Sequence, residues 1–469
     1  MTDTWRETQQ TQEEGTLLSV FLGQLNWSPE RLAREINKAA GSGTISLKAP
    51  YGWLKGSYPR GEIPRIVGQV LSAHLGQRIS PATIWPGRFA AGRSGGPGAE
   101  TPGTAAGAPE AADGADGMDG GERELWAELE EILPLHRDSV LSAAVDWLTD
   151  EGPRLRARTE GLPAGSELVA AVGDRIQQLR TLDEAQGGPA VLDWMVHDLR
   201  WIARLLRTCA HDRDQALRLH RDIAELAQLA GWLATDLGRD AAARRYYLLG
   251  LRAATVAGDR PLGAYILSCL GYQAMWNGQD RPALQLVRIA RKGLGDRADR
   301  RLRALLASRE ARVHAKLGDE WAFHHAAFEA TELCVLPAAP AEPSWAGWVS
   351  PAVLIADAGR AWLDLAQPER AENDLSRGLE LLGEQQPRDR LLHSISLASA
   401  RLARGEADGA ADAVRGGLAL RPQLQSERVR TRLARVREEF AACDAAPTRS
   451  AVLEIEDVLN MNYPVALTI

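Results

Sequence analysis

Apolar and polar residues follow one another along this chain with the spacing of amphipathic helices. In the first part, Thr16 can cap a helix that carries a run of apolar residues at helical spacing. Ser28 followed by Pro29 marks the start of a second helix, and Pro64 opens a further one. Short helices at this spacing predict a small helical domain over residues 12–89. With the helical pattern that follows it, the predicted fold class is all-α.

Composition changes divide the rest of the chain. Residues 90–121 consist mainly of Gly, Ala, Pro and acidic residues, which cannot bury a core, so we predict a flexible, self-repelling linker. We predict a helical connecting region over residues 122–215 and an α-solenoid of tetratricopeptide-like repeats over residues 216–440. Residues 441–450 have the composition of a second, shorter tether, and residues 451–469 form an apolar tail.

Internal similarity marks the repeat region. A small residue recurs at the predicted turn of each helical hairpin, at intervals of 40, 40, 48 and 39 residues. After Gly238, a small residue follows five positions later and apolar residues follow nine and thirteen positions later, and the same offsets recur after Gly405. Such spacing lets antiparallel helices pack closely and stack as a solenoid. The predicted turn residues are Gly238, Gly278, Gly318, Ala366 and Gly405.

Composition and charge add one asymmetry. The 469 residues are 45% hydrophobic and 25% charged, with only five Phe and seven Tyr, which favours helices over sheets. The formal net charge is −7, yet residues 27–93 carry a net charge of +7 and leave −14 for the rest. A basic end on an acidic body indicates that this end meets a polyanion. The polar start and the absence of a long apolar run predict a cytoplasmic protein without membrane contact.

Candidate catalytic and metal sites are weak in this sequence. Four scattered cysteines argue against a disulfide framework and a zinc site. No phosphate loop, nucleophile elbow or His-Glu-x-x-His motif occurs, so we expect no enzyme and no cofactor. His324 and His325 are adjacent and therefore face different sides of a helix. A solvated helix start and face, not a metal site, is our interpretation of His211, Asp212, Asp214 and His220.

Two blocks resemble a known family. Segment 224–265 is similar to the first repeats of actinobacterial helix-turn-helix (XRE-like) and tetratricopeptide-repeat transcriptional regulators, of the NsdA-like kind. Segment 27–85 resembles their N-terminal helix-turn-helix. The resemblance implies a regulator associated with development and antibiotic production. The residues of segment 27–85 that carry the resemblance are Leu32-Ala33, Trp53-Leu54-Lys55-Gly56, Pro59-Arg60 and Ile63-Pro64.

A helix-turn-helix places its second helix in the major groove of double-stranded DNA. The candidate second helix is Pro50–Lys55, which Pro50 and Gly52 predict to be short, with Trp53 and Leu54 as core anchors. The alternative is a basic helical module that binds protein. The predicted DNA contacts are Lys48, Tyr51 and Lys55 to bases or phosphates, Ser46 and Ser57 to phosphates, and Arg31, Lys38, Arg60 and Arg65 as non-specific attraction.

The concave face of the repeats is the second candidate site. If the family's geometry carries over, the first helix of each pair lines that face, where aromatic residues beside three cations could hold an apolar peptide and its terminal carboxylate. Alternatively, Trp232 and Tyr272 fill the seam between repeats. The predicted ligand-binding residues are Gln228, Trp232, Asp236, Ser268, Tyr272, Trp276, Arg312, Lys316 and Arg360.

The sequence therefore predicts a DNA-binding transcriptional regulator whose repeat array senses a peptide, small molecule or protein partner. We expect a homodimer, because paired half-sites raise specificity. The rival hypothesis is a tetratricopeptide adaptor or scaffold that does not bind DNA. A short acidic amphipathic helix begins the apolar tail; we expect it to cap the last repeat, and the alternative is that it lies in the groove as a built-in peptide.

Overall fold

The computed structural model describes residues 18–25, 27–40, 44–55, 57–59, 63–75, 79, 84–85, 125–129, 133, 139–150, 155, 157–295, 299–335, 344–383, 386–419, 426–443 and 445–460. Within these ranges the regular elements are helices, and extended pairing is limited to isolated bridges such as Arg158 with His211. The all-α fold class is therefore confirmed. The chain forms two compact units, Met1–Pro109 and Glu110–Ile469. The linker predicted at 90–121 lies outside the described residues.

The first unit is a small helical domain around Trp53, whose side chain is buried against the edge of Trp85. The Ser28 hydroxyl accepts a hydrogen bond from the Arg31 N–H and so caps the second helix. The Asn37 amide donates to the Ile45 carbonyl at 2.9 Å and accepts from the Ile45 N–H at 2.8 Å, which fixes the connection to the third helix. Its helices are α1 (Leu18–Leu25), α2 (Pro29–Ala40), α3 (Ala49–Leu54) and α4 (Ile63–Leu75).

The second unit is a succession of helices that pack as neighbouring pairs. From α8 onward each pair is a hairpin, in the order α8/α9, α10/α11, α12/α13, α14/α15, α16/α17 and α18/α19, and we call these six hairpins the helical repeat array. The helices are α5 (Val140–Thr149), α6 (Ser166–Ala185), α7 (Pro189–Thr208), α8 (Arg213–Asp236), α9 (Asp240–Ala257), α10 (Arg260–Trp276), α11 (Asp280–Leu294), α12 (Arg300–Lys316), α13 (Glu320–Val335), α14 (Pro351–Asp364), α15 (Pro368–Leu381), α16 (Pro387–Ala403), α17 (Ala407–Ala419), α18 (Glu427–Ala441) and α19 (Ala446–Asn460).

The predicted turn residues all adopt the left-handed conformation that ends a helix. Their φ angles are 73° for Gly238, 72° for Gly278, 73° for Gly318, 54° for Ala366 and 82° for Gly405. In each case the N–H of the next residue bonds to a carbonyl five positions earlier, at 2.8 to 2.9 Å. This closing hydrogen bond satisfies a carbonyl that the helix end leaves free, and it reverses the chain into the next helix.

Glycine at two interior positions lets the helices of a hairpin touch. A Cβ added at Gly231 on α8 would lie 2.7 Å from the Tyr247 ring on α9. A Cβ added at Gly359 on α14 would lie 2.7 Å from Leu375 on α15. At these two positions a side chain would therefore prevent the close packing of the two helices.

The connecting region contributes a helix that braces the outer side of the array. Helix α5 packs on α9 and α11, the second helices of the first two hairpins. Its Trp147 indole fills the space that the absent side chains of Gly263 and Gly293 leave. Arg260 lies over the Trp147 ring and donates to the carbonyls of Trp147 and Asp150. These contacts tie α5 to the array.

The tether expected at residues 441–450 is not a tether. Helix α18 reaches Ala441 and α19 begins at Ala446, and the Thr448 hydroxyl donates to the Cys443 and Ala445 carbonyls across the break. Helix α19 packs against α17 and α18, where it buries Ile455. Apolar burial on both sides of the break outweighs the loop-like composition, so residues 446–460 lie where a capping helix would. The last residues, 461–469, lie outside the described part of the chain.

Candidate functional site

Two cavities lie between the first helices of successive hairpins. The Trp232 cavity, of about 520 Å³, is lined by residues of α6, α8, α10, α12, α14, α16 and α18, including Gln228, Trp232, Tyr272, Arg309 and Arg360. The Trp276 cavity, of about 550 Å³, is lined by residues of α10, α12, α14, α16 and α18, including Trp276, Arg312, Lys316, Arg360, Asp364, Arg432, Arg435 and Glu439. Arg360 lines both. Volumes of this size suit a small-molecule ligand.

The register of each hairpin explains which residues reach the cavities. The residue six positions before the turn residue lines a cavity in the five hairpins from α8/α9 to α16/α17. Residues ten and two positions before the turn share its helix face, because these spacings correspond to whole turns. The five residues are Trp232, Tyr272, Arg312, Arg360 and Ser399.

Seven of the nine predicted ligand-binding residues line a cavity, namely Gln228, Trp232, Tyr272, Trp276, Arg312, Lys316 and Arg360. The other two, Asp236 and Ser268, are buried, and each forms hydrogen bonds with other residues of the protein. The Asp236 carboxylate accepts hydrogen bonds from Arg428 at 2.6 Å and from Ser426 at 2.8 Å. The Ser268 hydroxyl donates to the Tyr265 carbonyl at 2.7 Å. In this structure the polar groups of Asp236 and Ser268 therefore bond to other residues of the protein.

Aromatic rings and guanidinium groups alternate in the Trp232 cavity. The rings of Trp232 and Tyr272 lie 5.4 Å apart, Arg428 lies 4.7 Å from the Trp232 centroid, and Arg309 lies 4.6 Å from the Tyr272 centroid. Burial acts to raise the pKa of Tyr272, but Arg428, Arg360 and further arginines outweigh it and lower that pKa from 10.0 to about 7. The two aromatic residues thus fill the seam between repeats and also face the cavity.

Asp357 holds two of the arginines in place. Its carboxylate lies 3.1 Å from Arg360 and 3.5 Å from Arg309. Burial acts to raise the pKa of Asp357, but Arg360 and Arg309 outweigh it and keep that pKa below 3.8. Burial and Arg360 lower the pKa of the neighbouring His393 to about 3, so its imidazole is neutral at physiological pH.

The structure adds cavity residues that the sequence analysis did not name. Arg309, Arg388, Arg428 and Arg432 come from α12, α16 and α18. Extending the six-position rule to Gly405 would have found Ser399. The arginines of α18 recur at positions 428, 432 and 435, which is the spacing of one helix face, and that pattern was the available signal.

In the first unit, the predicted contact residues surround the short helix α3. Lys48, Tyr51 and Lys55 are exposed and follow one another at spacings of three and four, which places them on one face. The Tyr51 hydroxyl donates to the Glu30 carboxylate on α2 and so lowers the pKa of Glu30. Pro50 and Trp53 are buried on the opposite side. Helix α3 therefore presents a polar, cationic face to solvent.

The remaining predicted DNA contacts are exposed where the structure describes them. Ser46 and Ser57 flank α3, and both are exposed. Arg31 lies 5.2 Å from the Trp27 ring centroid, and the side chain of Lys38 is 80% exposed. Arg65 is exposed on α4, whereas Arg60 lies outside the described residues.

The histidine and aspartate cluster of the sequence analysis is only partly a solvated helix start, because Asp212 and Asp214 are exposed there but the two histidines are not. His211 and His220 are buried, and their rings lie within hydrogen-bonding distance of the Leu206 and Ala216 carbonyls. Asp212 caps α8 through a reciprocal bond with Gln215. No group of three or more His, Cys, Asp or Glu residues that could hold a metal ion occurs in the described part of the chain.

No helix among the described residues has the length and apolar character needed to cross a membrane. Residues 18–84 match the family described as the SP15 N-terminal domain. The matched region contains α1 to α4 and the buried Ile84. No curated protein matches the chain. The chain therefore carries a domain similar to the SP15 N-terminal domain, followed by a helical repeat array.

Proposed function

We propose that this protein is a DNA-binding transcriptional regulator of the cytoplasm. The first unit binds duplex DNA, and the helical repeat array binds the ligand that controls it. The observation that carries the proposal is the face of α3, where Lys48, Tyr51 and Lys55 are exposed together while Trp53 anchors the helix in the core. A short, rigid helix with cations at both ends suits the major groove and its phosphate edges.

The charge of the first unit supports this proposal. Its described residues include six exposed Lys or Arg residues and two acidic residues, Glu30 and Glu35. The Glu30 carboxylate accepts a hydrogen bond from the Tyr51 hydroxyl, and the Glu35 carboxylate lies 3.9 Å from the Lys38 ammonium group. The surplus of cations would neutralise phosphates and release counterions on binding. The exposed cations are Arg31, Arg34, Lys38, Lys48, Lys55 and Arg65.

The ligand function rests on the two cavities of the array. They combine aromatic rings, buried charges and apolar walls, a lining typical of ligand sites. The regulator acts as a homodimer, which would place two α3 faces on paired half-sites. The alternative, an adaptor without DNA affinity, predicts no attraction to duplex DNA even at low salt.

Fluorescence anisotropy of a labelled random duplex, titrated with the full chain at several salt concentrations, tests the proposal. We expect affinity to fall steeply as salt rises. Lys48→Ala combined with Lys55→Ala removes two positive charges. The plot of log K against log salt should therefore become shallower, by about 2 in slope. The control combines Arg244→Ala with Arg281→Ala, which removes the same charge from exposed positions of the array. Equal loss in both double variants, or no binding at low salt, would contradict the proposal.

A further inference from the structure

The Trp276 cavity holds more positive than negative side chains. Its lining includes five cations and two carboxylates. Glu439 is engaged by Arg435 at 3.2 Å, and Asp364 is engaged by Arg312 at 3.0 Å. The cations are Arg312, Lys316, Arg360, Arg432 and Arg435.

Two buried donor atoms beside the cavity lack an acceptor in the described part of the chain. The Nε and Nη1 atoms of Arg312 are buried and have no hydrogen-bond partner among the described residues. Arg432 donates to the Leu392 carbonyl at 3.4 Å, and its guanidinium lies 5.4 Å from the Trp276 ring centroid. The guanidinium groups of Arg360 and Arg309 both pair with the Asp357 carboxylate. A buried donor without an acceptor is costly, and the surplus of cations around the cavity favours an acceptor that carries negative charge.

The arginines also repel one another. Burial and Arg360 lower the pKa of Arg312 to about 10. Burial, Arg360 and Arg312 also lower the pKa of Arg432. A bound anion would relieve this repulsion. Guanidinium groups bind phosphate through paired N–H donors, and a phosphate monoester carries close to two negative charges at neutral pH.

We propose that the Trp276 cavity binds the phosphate group of a small phosphorylated ligand, with Arg312, Arg360 and Arg432 as its donors. A single carboxylate would offset one of the three surplus positive charges, whereas a doubly charged phosphate offsets two of them. The apolar wall of Met275, Ile395 and Leu402 receives the uncharged part of the ligand. The inference names the ligand class of the array, and it rests on the proposed sensing function.

Isothermal titration calorimetry of the full chain with inorganic pyrophosphate, at constant ionic strength and without DNA, tests this site. We expect saturable binding that Arg432→Gln and Arg312→Gln each weaken roughly tenfold. Asp364→Asn removes a competing carboxylate and should strengthen binding severalfold. Arg244→Gln, at an exposed position on α9, is the control and should change nothing. Circular dichroism establishes that each variant is folded.

Two further arms identify the source of the phosphate group. A nucleoside diphosphate and a phosphoserine peptide are titrated separately. The ligand that binds more tightly than pyrophosphate is then identified as the source of the phosphate group. A peptide that binds more tightly through its free carboxylate than pyrophosphate does would overturn the proposal. So would the absence of saturable pyrophosphate binding at millimolar concentration, or unchanged binding by both arginine variants. Because the assay contains no DNA, these failures leave duplex binding by the first unit standing, and loss of duplex binding leaves this site standing.

Discussion

The Arg428 guanidinium lies 2.6 Å from the Asp236 carboxylate, and this pair joins the last hairpin of the array to the first. Ser426 also donates to Asp236, and Arg388 lies 3.5 Å from it and 3.8 Å from Asp183. In an open solenoid each repeat contacts only its neighbours. Here residues 192 positions apart along the chain meet, so the array closes on itself around its cavities.

Asp236→Asn tests whether this closure stabilises the array. The substitution leaves the buried Arg428 without its charged partner, so we expect the free energy of unfolding to fall by about 3 kcal/mol in urea titration. The matched control is Asp412→Asn, whose side chain is 75% exposed and lies 3.6 Å from Arg415. The control should change stability by less than about 0.5 kcal/mol. Equal stabilities of the two variants would show that the pair does not hold the ends together.

Tyr272 should ionise near neutral pH. Burial opposes ionisation, but Arg428, Arg360 and other arginines lower its pKa to about 7, against 10.0 for an ordinary tyrosine. Between these values the unfolded chain binds more protons, so stability rises with pH from about 7 to 10. Near-ultraviolet absorbance should detect one tyrosinate forming near pH 7. Tyr272→Phe should abolish it; the same absorbance change in that variant would assign it to another residue.

Asp222 should lower stability at neutral pH. Its carboxyl group is buried, its Oδ2 has no hydrogen-bond partner among the described residues, and burial raises its pKa to about 7 despite Arg218. Between 3.8 and about 7 the folded state holds the extra proton, so stability falls as pH rises. Asp222→Asn should add about 2 kcal/mol above pH 7 and nothing near pH 4, measured by urea unfolding. A pH-independent effect would argue against a titrating Asp222.

Among the described residues, Ala366 is the one residue other than glycine that has a positive φ angle, of 54°. Ala366→Gly relieves this strain and should raise the free energy of unfolding by about 1 kcal/mol. The converse variant is Gly278→Ala at the equivalent turn, where no atom lies within 4 Å of an added Cβ. That variant should lose about 1 kcal/mol through its backbone conformation alone. Effects of the same sign in the two variants would contradict the equivalence of the turns.

Local spacing is what the sequence could reveal. The small residues from Gly238 to Gly405 predicted the hairpin turns, and the geometry implied by the family resemblance predicted that Trp232 and Arg312 line the concave face, where both line a cavity. The pair Asp236–Arg428 could not be found in this way, since it depends on the accumulated rotation of several hairpins. The helix start at Ala446 was missed because Pro447 suggested a loop, although proline is well tolerated in the first turn of a helix.

We propose above all that the exposed face of α3 binds duplex DNA in a sequence-specific way. Genome-wide mapping of bound DNA in cells tests this most directly. The wild-type chain should occupy discrete sites that share a sequence, and the chain with Lys48→Ala and Lys55→Ala should lose them while remaining folded. No enriched sites for the wild-type chain, or the same sites for both, would contradict the claim.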